Sequence, residues 1–173
     1  MRGLAARVAE IAALPIQAER RELWKQHNSM QAVRPLVLIF PEGSWVELLP
    51  DSALSCDREE AREIERDLRR RLHYHDHLQD DTVIEAEWIV HKVVNNSGWG
   101  LEAEHTPSTE ERGAWRFAPV IHEPADLEKL RFPKITHDAE ATSRAVVQAQ
   151  ELFDGLLDVK LKGISHISYH LMN

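Results

Sequence analysis

The stretch 82-TVIEAEWIVHKVV-94 decides the fold that is predicted for this chain of 173 residues. Its β-branched residues are dense and its polar residues alternate with apolar ones, which is typical of a strand. One face carries only apolar side chains, namely Ile84, Ala86, Trp88 and Val90. The other face carries Val83, Glu85, Glu87, Ile89 and His91. We expect the apolar face to pack under helices, and the carboxylates to meet a ligand, a metal, a polar network or solvent.

Helices and further strands flank this stretch. The continuous apolar run 35–40 predicts a strand that is buried on both faces, as in a parallel sheet. Residues 57–78 predict an amphipathic helix capped by Asp57, and residues 139–154 predict a second helix. The segment 156–164 predicts a final strand. An order that alternates strands and helices is typical of βα units with a largely parallel sheet.

Composition limits the partners and the setting of the protein. The formal net charge is −8, which argues against nucleic acid or an anionic membrane as the main partner. The single cysteine, Cys56, excludes a disulfide framework within this chain and favours a reducing, cytoplasmic setting. No apolar run approaches the roughly 20 residues that a membrane-spanning helix requires.

Several segments, in order along the chain, resemble the uroporphyrinogen decarboxylase family. Residues 119-PVIHEPADLEKLRFPKITHDAEA-141 contain a short DLEKL helix followed by a proline–threonine–aspartate step into a long helix. The run 35–40 looks like the first barrel strand of that family. The segment 82–88 with 97–102 looks like its second strand and the glycine-containing segment that follows. The residues 159–173 look like its third strand and the next loop.

The family fold is a (β/α)8 barrel, which typically needs about 250 residues. The resemblance therefore implies that the chain is an α/β protein holding about three βα units, the N-terminal portion of a TIM barrel. In this interpretation residues 1–173 are a single partial barrel domain. Residues 1–34 are an N-terminal helical segment, residues 35–173 are the first βα units, and a β-hairpin-like excursion interrupts them near 95–124. We expect such a fragment to be inactive alone.

The resemblance implies one of two activities. The decarboxylases are carboxy-lyases that act on a tetrapyrrole without a cofactor, whereas the methyltransferase branch uses zinc and passes a methyl group to or from a corrinoid protein. The expected small-molecule partner is thus a tetrapyrrole or a methyl donor. The loop 41–50 carries Glu42 and Glu47 where the decarboxylases have arginines, and Glu87 stands where they have an aspartate.

Seven residues are candidates for the site. Because barrel sites lie at the carboxyl ends of the strands, Glu87 is the candidate catalytic residue. The candidate substrate-binding residues are Glu85, His91, Trp45, Glu42, His166 and Tyr169. Three alternatives remain open: a solvated strand face for the carboxylates, a tryptophan that covers the core, and a fraying chain end for the last two residues.

The segment 71-RLHYHDHLQDD-81 offers a different site. On a strand, His73, His75 and His77 would share a face and could bind a metal, but on a helix they point to different sides. We expect a solvated helix face and assign no metal ligand. The alternative functions are a His-rich metal-binding domain and a non-catalytic α/β interaction module. Such a module would form a homo-oligomer through an open sheet edge.

Overall fold

The computed structural model describes residues 1–102, 104–109, 113–114 and 116–163, with backbone only for Glu104 and His105. The chain forms two compact units, which are described separately below. The first unit holds Met1–Ile89 with Val147–Lys160. The second holds Val90–Val146 and the described residues from Leu161 onward.

Helices and short strands make up the described chain, which is a mixed α/β protein. The α-helices are α1 (Arg2–Ala12), α2 (Pro15–Asn28), α3 (Trp45–Leu48), α4 (Glu59–His73) and α5 (Ala139–Phe153). Shorter helical turns are Glu42–Ser44, Asp51–Ala53, Tyr74–Leu78 and Pro124–Lys129. The strands are β1 (Glu87–His91), β2 (Val94–Asn96), β3 (Glu104–Thr106), β4 (Arg116–Ala118), β5 (Ile135–His137) and β6 (Asp158–Lys162). Among the described residues, no helix combines the length and the apolar character needed to cross a bilayer.

Helices pack around a small apolar core in the first unit. The buried face of α1 includes Val8, and the buried face of α4 includes Leu68; both side chains are fully inaccessible. Phe153 at the end of α5 is also fully buried and packs against Trp88, with ring centroids 4.7 Å apart. The apolar face predicted for 82–94 thus packs under a helix, as its alternation indicated.

The strands β1 and β6 pair, and both pass from one unit into the other. In the first unit the N–H of Asp158 donates to the carbonyl of Ala86 over 2.8 Å. In the second unit the N–H of Lys92 donates to the carbonyl of Lys162 over 2.9 Å. The residue numbers of the bonded partners increase along both strands in the same direction, so the pairing is parallel. The intervening chain contains α5, which makes this a strand–helix–strand connection.

Two antiparallel pairs belong to the second unit. Strand β2 pairs with β5, with Asn95 opposite Thr136. Strand β3 pairs with β4, with His105 opposite Phe117. The second pair lies in the segment 95–124, where a β-hairpin-like excursion was expected.

The prediction of a buried strand at 35–40 is wrong. No strand is assigned there, and its four apolar side chains from Val37 to Phe40 are exposed, Phe40 by 70%. The segment is held by side chains, and by one backbone bond from the N–H of Asp81 to the carbonyl of Val37 at 2.9 Å, instead of by a neighbouring strand. The carboxylate of Asp81 accepts the N–H of Val37 at 2.8 Å, and that of Asp80 accepts the N–H of Ile39 at 2.8 Å. An apolar run indicates burial only where a second apolar surface covers it, and the described residues supply none on this side.

Element boundaries also differ from expectation. The strand expected over 82–94 is confined to β1 and β2, and helix α4 starts after Arg58 without a side-chain cap from Asp57. Helix α5 matches its prediction within one residue, and it is followed by Gly155 at a φ of +72°. That left-handed backbone conformation favours glycine, because in any other residue it strains the Cβ against that residue's own backbone.

Candidate functional site

The polar face around β1 carries a pair between Glu85 and Arg21 of α2. The Arg21 guanidinium donates to the two carboxylate oxygens of Glu85 over 2.9 and 2.6 Å. This hydrogen-bonded guanidinium lowers the pKa of Glu85, although partial burial acts in the opposite direction. Glu85 is therefore ionised at neutral pH and is held in one orientation by a two-point contact.

A second ion pair lies beside the first one. The ammonium of Lys160 on β6 donates to the carboxylate of Glu87 on β1, and it lies 3.5 Å from Oδ2 of Asp158. The hydrogen bond to Glu87 raises the pKa of Lys160, so the amine stays protonated. The two strands thus place Glu87 next to a cation that lies 73 residues further along the chain.

These residues define the β1 charge cluster: Arg21, Glu85, Glu87, Asp158 and Lys160. It contains two cations and three carboxylates, and the side chains of Glu85 and Lys160 are more than 40% exposed. A general acid or base works best with a pKa near the working pH, and the shifts at Glu85 and Lys160 both move away from neutrality. The cluster is suited to binding and orienting a polar or charged ligand.

His91 belongs to the second unit, where it is exposed. Its Nδ1 lies 3.3 Å from the carbonyl oxygen of Gly163. Its role in binding stays a prediction, as does the catalytic role of Glu87. His166 and Tyr169, the remaining candidates near the chain end, lie outside the described residues.

The loop candidates Trp45 and Glu42 lie in different surroundings. Trp45 is partly buried against the end of α4, with its ring 5.4 Å from that of His73 and 5.8 Å from that of Tyr74. The guanidinium of Arg70 lies over the same indole, 5.3 Å from its centroid. Glu42 is exposed and begins a helical turn at a φ of +46°. Trp45 thus packs against the end of α4, and its role in binding stays a prediction.

A pocket of about 290 Å³ opens beside Trp45, and sequence reasoning did not find it. Its lining consists of Trp45, Val46, Leu49, Asp51, Arg66 and Arg70. The arginines come from α4, where they are four residues apart and share a helix face. That spacing was visible in the sequence, but nothing in it showed that the loop would fold against this face.

The histidine segment supplies two neighbouring imidazoles. The rings of His73 and His77 are 4.6 Å apart. Burial lowers the pKa of His73, and the neighbouring His77 lowers it further. In the part of the chain that the structure describes, no group of three or more His, Cys, Asp or Glu side chains is placed to hold a metal ion.

Glu65 is a buried carboxylate that sequence reasoning also missed. Only 2% of its surface is exposed, and it accepts the N–H groups of Ser55 and Cys56 as well as Nε of Arg69 at 2.8 Å. Burial alone would raise the pKa of Glu65, but the N–H of Cys56, the guanidinium of Arg69, the Cys56 thiol and the N–H of Ser55 together lower it to about 2. The residue fixes the loop before α4, on the same helix that lines the pocket.

The chain was compared with protein-family models, with curated proteins and with solved structures, and none of the three comparisons gave a match.

Proposed function

We propose that the protein is a uroporphyrinogen decarboxylase-like α/β protein whose β1 charge cluster binds a small molecule, either a tetrapyrrole or a methyl donor that serves a corrinoid protein. In this proposal Glu87 orients the substrate. The reaction is a decarboxylation of the carboxy-lyase type or a cobalamin-dependent methyl transfer, and zinc belongs to the second alternative. The proposal also places the protein in the cytoplasm, in keeping with its single cysteine.

The observation that carries the proposal is the parallel pairing of β1 with β6 around an exposed ion pair. Parallel strands joined through a helix are the repeating unit of α/β barrels and doubly wound sheets. Glu87 is 29% exposed and Lys160 is 43% exposed, so a ligand can reach both charges. Ion pairs at such positions contribute little to stability, so a charged ligand can displace one partner at a small cost.

The proposal is tested by titrating the full chain with uroporphyrin, a fluorescent tetrapyrrole whose carboxylates would compete with Glu87 for Lys160 and Arg21. We expect saturable quenching of the porphyrin fluorescence. Replacing Lys160→Gln should weaken binding about tenfold or more, because a charge-assisted hydrogen bond to a carboxylate is lost. Glu87→Gln should alter the affinity in the opposite direction, since it frees the ammonium.

The matched control is Glu151→Gln, which makes the same chemical change at an exposed position of α5. That variant should bind uroporphyrin as the unmodified chain does. The tetrapyrrole alternative is wrong if no saturable binding occurs, or if Lys160→Gln and Glu151→Gln bind equally well. A corrinoid used as the probe in place of uroporphyrin distinguishes the methyl-transfer branch.

A second candidate function is an interaction module that pairs with another copy of the chain. The open edge of the segment 35–40 favours it. The backbone groups of Val37 and Ile39 are occupied by Asp80, Asp81 and Tyr74. The backbone N–H and C=O of Leu38 point away from these three residues and have no hydrogen-bond partner among the described residues. An exposed apolar edge with free donors and acceptors is a template for strand pairing.

The second candidate predicts a dimer through strand addition between two identical edges. Analytical ultracentrifugation of the full chain should show concentration-dependent dimerisation, which Leu38→Lys should weaken because like charges would then face each other. Leu127→Lys changes another exposed leucine, 54% accessible and in the second unit, and should leave the dimer intact. A chain that stays monomeric at all concentrations contradicts this candidate.

A further inference from the structure

The pocket beside Trp45 is lined by two arginines of α4, and only one of them forms an ion pair with a described residue. Arg66 is paired with Asp51 at 3.0 Å and also with Glu63. Arg70, one turn further along α4, forms no ion pair with any described residue. The guanidinium of Arg70 lies over the indole of Trp45, 5.3 Å from its centroid, and its charge lowers the pKa of the Tyr74 hydroxyl against the larger opposite effect of burial.

The Arg70 side chain is also incompletely hydrogen-bonded. Its Nε is buried and has no hydrogen-bond partner among the described residues. A buried donor without a partner destabilises the fold, and more so when the group is charged. Nearly all such groups in folded proteins find a partner, so this donor leaves the Arg70 head group short of acceptors.

The remaining walls restrict the shape and the charge of the ligand. Val46 and Leu49 are apolar, and the Trp45 ring provides a flat surface. Asp51 places a carboxylate at the same pocket, although its charge is directed to Arg66. A multiply charged anion such as phosphate would be repelled by Asp51 and would leave the apolar walls uncovered. A molecule with one carboxylate and an apolar body can place its charge beside Arg70 and its body against the apolar walls.

The volume limits the size of the ligand. A space of about 290 Å³ is at the small end of the range for ligand pockets, which is about 300 to 1,000 Å³. It accommodates an acid with one ring or a short branched chain, and it excludes a whole tetrapyrrole. This pocket is therefore separate from the β1 charge cluster in both its residues and the size of its ligand.

We propose that the pocket formed by α3, the 49–51 turn and α4 binds a small monocarboxylic acid with an aromatic or branched apolar body. The carboxylate pairs with the guanidinium of Arg70, because this planar group can donate to both oxygens of a carboxylate. The body lies against Val46 and Leu49. The pairing balances the charge of Arg70 without disturbing the Arg66 pairs.

Benzoate is the probe, and isothermal titration calorimetry of the full chain is the assay. We expect saturable binding of benzoate, with at least tenfold weaker binding of benzyl alcohol and of inorganic phosphate. Arg70→Gln should weaken benzoate binding at least tenfold. Arg58→Gln makes the same change in charge at an exposed site just before α4, and it should keep the affinity within twofold.

A second variant covers the case in which Arg70→Gln alters the fold. Val46 is 55% exposed, so Val46→Glu places a negative charge at the rim without burying it, and it should also abolish benzoate binding. Glu87→Gln should bind benzoate normally, which separates this site from the proposed function. The inference is overturned if benzoate does not bind saturably, if benzyl alcohol binds as tightly as benzoate, or if Arg70→Gln behaves like Arg58→Gln.

Discussion

Replacing Glu65→Gln should destabilise the protein at neutral pH and leave it nearly unchanged in acid. The ordinary pKa of a glutamate is 4.5, and that of Glu65 is about 2. At about 1.36 kcal/mol for each pH unit, this difference corresponds to at most about 3 kcal/mol of stability. Solvent screens the partly exposed Arg69, so we expect a loss of about 2 kcal/mol. The amide can accept only part of the hydrogen bonds that the carboxylate accepts, and its NH₂ group faces donors.

Urea unfolding followed by circular dichroism measures this loss. For a slope of about 2 kcal/mol/M, the midpoint of the variant should fall by about 1 M at pH 7. A depressed pKa stabilises the fold fully above pH 4.5, and that contribution disappears as the pH falls toward 2. The midpoints of the two proteins should therefore converge between about pH 5 and pH 2. Glu60→Gln, on the exposed side of the same helix, is the matched control and should cost a few tenths of a kcal/mol.

Two outcomes would refute this account of Glu65. One is a loss at pH 7 no larger than that of Glu60→Gln, which would mean that the buried carboxylate contributes no net stability. The other is a loss that stays constant from pH 7 to pH 3. A constant loss would assign the effect to packing or shape and not to the charge.

Three further predictions concern the segment 35–40, the end of α5 and the core. Asp81→Asn should lower the free energy of unfolding by about 2 kcal/mol and speed amide hydrogen exchange at Val37, because the charge-assisted bonds to Arg34 and to the N–H of Val37 are weakened. Unchanged exchange at Val37 would contradict this prediction. Gly155→Ala should lower the melting temperature, because a residue with a Cβ loses about 1 kcal/mol of stability at a positive φ. No neighbouring atom would clash with the new Cβ, so the φ angle is the whole cause. An unchanged melting temperature would show that the turn relaxes. Phe153→Ala should lower the free energy of unfolding, measured in urea, by about 3 to 5 kcal/mol, because the side chain is fully buried. A loss under 1 kcal/mol would show that the surrounding residues collapse into the cavity.

Helical periodicity predicted the long helices well. The apolar positions of α4 and α5 recur every three or four residues, and that signal is local, so both helices were located within a few residues. Gly155 marked the end of α5 because its conformation is also determined locally. The run 35–40 failed because its burial depends on what lies across from it, and no local pattern contains that information.

In the candidate site too, local patterns were predictable from the sequence and contacts with distant residues were not. The alternation in 82–94 correctly separated the carboxylates Glu85 and Glu87 from the apolar face. It could not show that their partners would be Arg21 and Lys160, which are 64 and 73 residues away. The contact between Arg70 and Trp45 depends likewise on how a loop folds back on a helix. Neither pairing leaves a periodic trace in the sequence.

The two adjacent aspartates that hold the segment 35–40 give its attachment an unusual character. Backbone pairing between strands fixes a segment along its whole length, and it releases only when a neighbouring strand is disrupted. Asp80 and Asp81 anchor this segment at two points by side-chain oxygens, with Tyr74 adding a third contact. Substitution of either aspartate therefore removes one anchor and can loosen the segment while the helices beside it remain folded.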